Sequence, residues 1–338
     1  MELDLHVTNR CNLSCSHCIY EANDRMMDDI SINVVKKILP DLKQMGVKEV
    51  HLTGGEPLLN EHIFKIIEFL KLEGFTVRVQ SNGVLISNSV VEEFKRLKVD
   101  SVMVSVDGLK NSHNFFRGNN TSYKHAINAI ELCLEAGIYT RVNTVLHKKN
   151  LTDVRELMVV LNNMGIDQHS FFYLSPGGRG TRLKDYMLSL KEWKNISAVI
   201  KQVSIDIGCS DRVKIQDLLV EKECDINECR IKAKDNCLIL SNGNVYPCVF
   251  FVNSEFCLGN IFEESLLQIW NNDMLWEKYE QRVNKLCNNK NCMGGCIGMI
   301  YLLKGEIKTC DPRCIMREGL IPGCIRRYSV LECDEKSI

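Results

Sequence analysis

The sequence predicts an α/β fold, a parallel sheet wrapped by helices, followed by a smaller region of different texture. Three observations carry this. Strand-like and helix-like segments alternate through six β/α units by about residue 205, the pattern of a parallel sheet with crossover helices. The segments CNLSCSHC, GGEP, SNG, VDG and GGRG all follow strands, where parallel α/β sheets gather their function. Beyond about residue 206 helical periodicity fades, and twelve of the seventeen cysteines lie from Cys224 onward. Such a region is held together by metal more readily than by a large core. The expected division is therefore 1–205 and 206–338.

The elements follow in order. Leu3–Val7 alternates apolar and polar residues and leads into the cysteine loop. Ile32–Met45 has helical spacing and stops at Gly46. Glu49–Leu52 is a short strand before GGEP, and Ile63–Leu72 a helix stopped by Gly74. Thr76–Val79 is a strand with Ser81, Asn82 and Gly83 after it, followed by the helix Val90–Leu97. Ser101–Val106 is a strand with Asp107 and Gly108 after it, and Tyr123–Glu135 a helix ending at Gly137. Tyr139–Leu146 is a strand, Val154–Met164 a helix ending at Gly165, and Ser170–Leu174 a strand leading into SPGGRG. Six units are too few for a closed eight-fold barrel.

The 338 residues accommodate one large domain and a smaller one. Hydrophobic content of 45% and charged content of 25% are ordinary for a soluble globular protein. A net charge of −1 gives no global field to attract nucleic acid. No apolar run is long enough to span a bilayer. The start, MELDLHVTNRC, lacks the basic and apolar regions of a secretory signal. A cytoplasmic protein without nucleic-acid or membrane partners is expected, and there seventeen cysteines read as metal ligands before disulfides.

Cys11, Cys15 and Cys18 have the spacing C-x3-C-x2-C on one short loop. Three thiolates suit a zinc ion with one open position, or a cubane iron–sulfur cluster, normally held by four cysteines, with one iron left open. A zinc loop does not predict GGEP (Gly54–Pro57) after the next strand. Together the two segments resemble the radical S-adenosylmethionine (SAM) enzymes, and His17 matches the ring-bearing position before the third cysteine. The resemblance implies a partial (β/α)6 barrel and a 4Fe–4S cluster on Cys11, Cys15 and Cys18, whose open iron binds the amino and carboxylate groups of SAM. It also implies reductive cleavage of SAM to a 5′-deoxyadenosyl radical that abstracts a substrate hydrogen, with electrons from a donor such as flavodoxin or ferredoxin.

Further site residues come from the same resemblance. Gly54, Gly55 and Glu56 would contact the SAM amino group. The two glycines admit close backbone approach, and Glu56 reads equally as a charge complementing a helix N-terminus. Ser81, Asn82, Ser105 and Asp107 match positions near the ribose hydroxyls and methionine carboxylate, although Asp107-Gly108 is also a plain turn signal. Arg117 in FFRG resembles an arginine near the SAM carboxylate, a task suited to guanidinium; a surface salt bridge is the alternative. Asn143 matches an asparagine facing SAM, or is a buried amide satisfied by backbone.

In the second region, Gly243 and Cys248 form G-x4-C, and Cys287, Cys292, Cys296, Cys310 and Cys314 follow, the last four in CMGGC and CDPRC. This resembles the SPASM extension, which carries auxiliary 4Fe–4S clusters. The usual C-x2-C-x5-C-x3-C is reduced here to Cys287-x4-Cys292-x3-Cys296. Taken by order, one auxiliary cluster would use Cys229 (or Cys224), Cys237, Cys248 and Cys296. The other would use Cys287, Cys292 and Cys314 with Cys310 or Cys324. One cluster with spare thiols, or a zinc site, stays open, because spacing does not fix connectivity. Cys133 reads as core. Among the surplus thiols, Cys209, Cys224 or Cys257 is a candidate hydrogen-atom donor, as in peptide epimerases of this superfamily.

The resemblance points to a maturase that cross-links, epimerises or forms thioethers in a ribosomally made peptide. The alternative is modification of tetrapyrrole side chains, as in haem d1 or alternative haem biosynthesis, which GGCIGMIYLLKGE, DPRC and SPGGRG resemble locally.

Overall fold

The computed structural model describes residues 1–216, 234–272 and 296–307. Their strands form one ten-stranded sheet in the order β10-β9-β8-β1-β2-β3-β4-β5-β6-β7. The first six are β1 (Glu2–His6), β2 (Glu49–Thr53), β3 (Thr76–Ser81), β4 (Ser101–Ser105), β5 (Thr140–Leu146) and β6 (Gln168–Tyr173). They pair in sequence order, all parallel. β7 (Val213–Ile215) adds in parallel to β6, and β8 (Asn236–Ile239) adds in parallel to β1 on the other side. β9 (Asn244–Tyr246) and β10 (Gly259–Asn260) then run antiparallel.

Period-two patterning separates the two faces of the sheet. Leu3 and Leu5, Val50 and Leu52, Val77 and Val79, Val102 and Val104, and Val142 are fully buried in one apolar core beneath the surrounding helices. These are α1 (Ile32–Gln44), α2 (Ile63–Leu72), α3 (Asn88–Arg96), α4 (Lys110–Arg117), α5 (Ser122–Glu135), α6 (Val154–Met164) and α7 (Leu190–Asp206). Helical spacing supplies the matching stripe, as in Ile63, Ile66, Ile67 and Leu70 of α2. Many of the alternate positions are polar and face the concave side. Near the strand starts they form a charged plug: Arg78 Nη1 lies 2.6 Å from Glu49 Oε1, and His51 Nδ1 lies 3.2 Å from Asp4 Oδ1. Burial disfavours charge on His51, yet its bonds to Asp4 and Glu49 raise its pKa overall.

The structure adds elements that periodicity alone does not announce. α4 has the sequence KNSHNFFR, which shows no apolar stripe, and it ends on Gly118 in the left-handed region (φ 66°). α7 starts with a capping box between Ser189 and Glu192. β7 to β10 are two to four residues long, too short for alternation to register. Because β7 and β8 extend opposite edges of the sheet, the sheet runs on across residue 206. Two short helices complete the described residues, α8 (Leu266–Trp270) and α9 (Ile297–Lys304).

Candidate functional site

The cysteine loop lies across the carboxyl ends of the strands and is fastened from four sides. Gly55 N–H donates to Thr8 O and Glu56 N–H to Arg10 O, both at 2.8 Å. A Cβ at Gly55 would sit 2.1 Å from Arg10 O, and one at Gly54, where φ is +151°, 2.5 Å from Thr8 O. Both positions thus need glycine for close backbone approach. From α4, Phe116 O accepts from Ser16 N–H at 2.9 Å and from Ser16 Oγ at 3.1 Å. From the SPGGRG loop, Arg179 donates to Cys15 O at 2.7 Å and Ala22 O at 2.9 Å. Its own N–H reaches Cys18 O at 3.0 Å. Arg10 pairs with Asp29 and donates to Leu59 O at 2.6 Å.

Inside this frame is a cavity of about 420 Å³. Its walls include Cys11, Cys15, His17 and Cys18 of the loop, with Gly54, Gly55, Ser81, Asn82, Ser105, Arg117 and Asn143 from the strand ends and α4. Residues drawn from five separate β/α units therefore converge on one space. Glu56 and Asp107 are the exceptions among the expected barrel positions. Both are fully buried and stand behind the wall, where they position the residues that line it.

Glu56 accepts from Ser81 Oγ at 2.9 Å, Asn82 N–H at 2.8 Å and Leu58 N–H at 3.4 Å. It thus ties the GGEP turn to the end of β3 and caps the short helical turn Pro57–Leu59. Burial pushes its pKa up to about 7 against the pull of those bonds. Asp107 accepts from Arg117 Nε at 2.7 Å and from Val145 N–H at 3.0 Å, and lies 3.4 Å from His17 Nε2. Burial opposes its charge, but the Arg117 guanidinium and the neighbouring His17 and His113 hold the carboxyl well below its usual range. The same burial lowers the His17 pKa to about 4, so the ring is neutral near pH 7.

The thiols carry the clearest chemical information. Burial raises the Cys11 pKa to about 12. Burial also raises that of Cys15, while Arg117 works against it. Asn82 Nδ2 donates to Cys11 Sγ at 3.9 Å and Arg117 Nη1 to Cys15 Sγ at 3.8 Å. Thiolates around one tetrahedral zinc stand roughly 3.8 Å apart, given Zn–S bonds of about 2.3 Å. Among the described residues, the group of three potential ligand atoms lying within 4.8 Å of one another is Glu2, Glu49 and His51. Cys11, Cys15 and Cys18 do not form such a group, although all three line the same cavity. His17 Nδ1 and Asn143 Oδ1 are buried at the cavity without a hydrogen-bond partner. These are acceptors that amino or hydroxyl groups of a nucleotide ligand can satisfy.

The remaining thiols divide. Cys209 follows α7 and precedes β7, at the amino ends of the strands, where it packs with Met158, Ile166 and His169. Cys209, expected as a hydrogen-donor candidate, is not among the residues that line the cavity of the cysteine loop. Cys257 donates to Gly259 O at 3.4 Å and is absent from the cavity wall. Cys133 is buried core. Cys237 lies on β8, fully buried, and Cys248 follows two residues after β9, so the β8–β9 hairpin brings them to nearly one level. Cys248 and Cys296 are the N-cap residues of the turn Val249–Phe251 and of α9, which pack together: a Cβ at Gly298 would lie 2.5 Å from Phe250 Cβ. Cys224, Cys229, Cys287, Cys292, Cys310, Cys314 and Cys324 lie outside the described residues. Sequence reasoning missed Arg179 and Tyr20 as wall residues. Only the position of SPGGRG after a strand signalled the first; nothing local signalled the second.

Comparison with known proteins agrees with this geometry. The radical SAM superfamily matches residues 5–161, and an iron–sulfur cluster-binding domain of the SPASM type matches residues 229–297. The chain is 25% identical to the AdoMet-dependent heme synthase of Methanosarcina barkeri, over 93% of this chain and 95% of that protein. It is 27% identical to the antilisterial bacteriocin subtilosin biosynthesis protein AlbA of Bacillus subtilis, over 88% of this chain and 66% of that one. Its fold matches Streptococcus suis SuiB bound to the precursor peptide SuiA, with a TM-score of 0.78 and 22% identity, over 93% of this chain and 75% of that one. The three-cysteine loop and the glycine pair packed against it fall within the first match, and the chain is an enzyme built from a radical SAM domain and a SPASM iron–sulfur domain, using 4Fe–4S clusters and SAM.

Proposed function

We propose that the protein modifies a ribosomally made peptide by hydrogen abstraction. When bound, the cluster and SAM supply a 5′-deoxyadenosyl radical; the residues of this chain bind, orient and shield. Cys11, Cys15 and Cys18 would hold the cluster, and Gly54 and Gly55 leave its loop room to lie against the sheet. Ser81, Asn82, Ser105 and Asn143 present polar groups to the ligand from the strand ends. Phe172, Val145, Leu13 and Ile19 on the same wall exclude water, which protects a radical from side reactions. Residues 1–205 form the catalytic barrel and residues 206–338 the auxiliary-cluster region in this reading. Reducing electrons come from a flavodoxin- or ferredoxin-type donor, and a cytoplasmic location belongs to the same proposal. Among the described residues no helix is long and apolar enough to cross a membrane.

One observation favours a peptide over a tetrapyrrole. Among the described residues lining the cavity, the cationic side chains are Arg117 and Arg179. Arg117 is paired with Asp107, and Arg179 is spent on backbone carbonyls of the cysteine loop. A macrocycle bearing several carboxylates would need cations in reserve, because a desolvated carboxylate without a partner is costly. The near full-length likeness to a heme synthase favours the other reading, so the experiment sets the two side by side. Anaerobically reconstituted protein, SAM and reductant are incubated with peptides encoded by short neighbouring reading frames, and separately with carboxylated iron porphyrins. Loss of two hydrogens from a peptide, or solvent deuterium gained at an α-carbon, supports the proposal. Decarboxylation of the porphyrin with no change in any peptide overturns it.

A further inference from the structure

We propose that Arg117, locked in place by Asp107, raises the reduction potential of the cluster held by Cys11, Cys15 and Cys18 through its hydrogen bond to the Cys15 sulfur. Arg117 divides its guanidinium between two partners. Nε and Nη2 each lie 2.7 Å from Asp107 Oδ2, and Nη1 donates to Cys15 Sγ at 3.8 Å. Arg117 is 9% exposed and Asp107 0%, and at that burial the charge interactions are screened less than at the surface.

Asp107 is itself fixed on every side. Its Oδ1 accepts from Val145 N–H at 3.0 Å, its N–H donates to His113 Nδ1 at 3.0 Å, and its carbonyl accepts from Asn150 Nδ2 at 2.8 Å. The backbone beside Arg117 is held as well, since Phe116 O takes two bonds from Ser16 of the cysteine loop. The guanidinium therefore has one orientation. The ion pair is nearly neutral overall, but its positive end faces the sulfur.

Reduction of the cluster takes one electron from the external one-electron donor. The electron stays on the iron–sulfur unit, no proton moves, and the extra negative charge is shared by the thiolate ligands. A charge-assisted donor on one of those sulfurs is strengthened as that charge grows, so it stabilises the reduced form. Hydrogen bonds to sulfur are an established control on cluster potentials. The second donor, Asn82 Nδ2 to Cys11 Sγ at 3.9 Å, is neutral and longer, which leaves Arg117 as the stronger of the two. This role differs from contact with SAM, and it rests on membership of the family, not on the identity of the substrate.

The test is a potentiometric titration of the reconstituted holoprotein without SAM, followed by electron paramagnetic resonance. The cluster on the cysteine loop is identified as the signal that changes shape when SAM is added afterwards. Arg117→Gln should lower its midpoint so that the reduced-to-oxidised ratio at fixed potential falls about tenfold, which is 59 mV for one electron. Arg117→Lys, which keeps the charge but cannot span both partners, should fall between. Iron content should equal that of the parent in both. An unchanged midpoint with weakened SAM binding would assign Arg117 to SAM alone and overturn the proposal. Loss of the cluster from both variants would assign it to assembly and overturn it as well.

Discussion

Replacing Gly55 by alanine tests whether the GGEP turn and the cysteine loop are built as one unit. The new methyl carbon would sit 2.1 Å from Arg10 O, 2.6 Å from Arg10 C and 3.0 Å from Cys11 Cβ. Ordinary contact is more than an ångström longer than the first of these, and the neighbour is backbone that cannot rotate away. The loop must therefore lift off. In doing so it loses the bonds from Gly55 N–H to Thr8 O and from Glu56 N–H to Arg10 O, each worth about 1 kcal/mol. A loss of about 2 kcal/mol follows. With an unfolding entropy of roughly 2.1 cal/mol/K per residue, a chain of 338 residues should melt about 3 °C lower. Because Cys11 moves with Arg10, the variant should also hold less iron after reconstitution. The assay is a thermal melt of anaerobic protein beside an iron determination. A Gly55→Ala protein that melts with the parent and binds the same iron would refute the packing of these two loops.

Two further outcomes follow from the same geometry. The pKa of Glu56 rises from 4.5 to about 7 on folding, so its contribution to stability is fully present below about pH 4.5 and is lost as pH rises through 7. Between pH 6 and 8 about 1 kcal/mol of a total of about 3 kcal/mol disappears. Glu56→Gln should flatten that decline, read as melting temperature against pH, and an unchanged slope would exclude Glu56 as its source. Cys248→Ala should remove about four irons per chain, one cubane's worth, while the SAM-responsive resonance signal persists. Unchanged iron would show that Cys248 holds no auxiliary cluster.

What the sequence made legible was local. Cys11, Cys15 and Cys18 share eight residues, and the strand leading to GGEP is a short alternating run, so spacing and periodicity suffice to place the loop and the glycine pair at strand ends. Parallel order follows from the alternation of strand and helix periods. Distant bonds leave no such mark. Arg179 reaches Cys15 O across 164 residues, and no pattern within SPGGRG announces its target. α4 is hidden because three of its four buried residues, His113, Asn114 and Arg117, are polar and bond to neighbouring segments, so no apolar stripe marks it. Asp107 and Glu56 are expected at the ligand because the family resemblance implies it. The structure shows their carboxylates bonded to Ser81, Asn82 and Arg117, contacts set by which donors the neighbouring elements present and invisible in local spacing. β7 to β10 escape notice because their positions depend on pairing with neighbouring strands rather than on their own composition.

The most direct measurement is the yield of 5′-deoxyadenosine from anaerobically reconstituted, reduced protein supplied with SAM, compared with a variant in which Cys11, Cys15 and Cys18 are all alanine. The parent should form the nucleoside and the variant none, although the variant should still bind auxiliary iron. Equal yields from the two proteins would contradict the assignment of the catalytic cluster to these three thiolates.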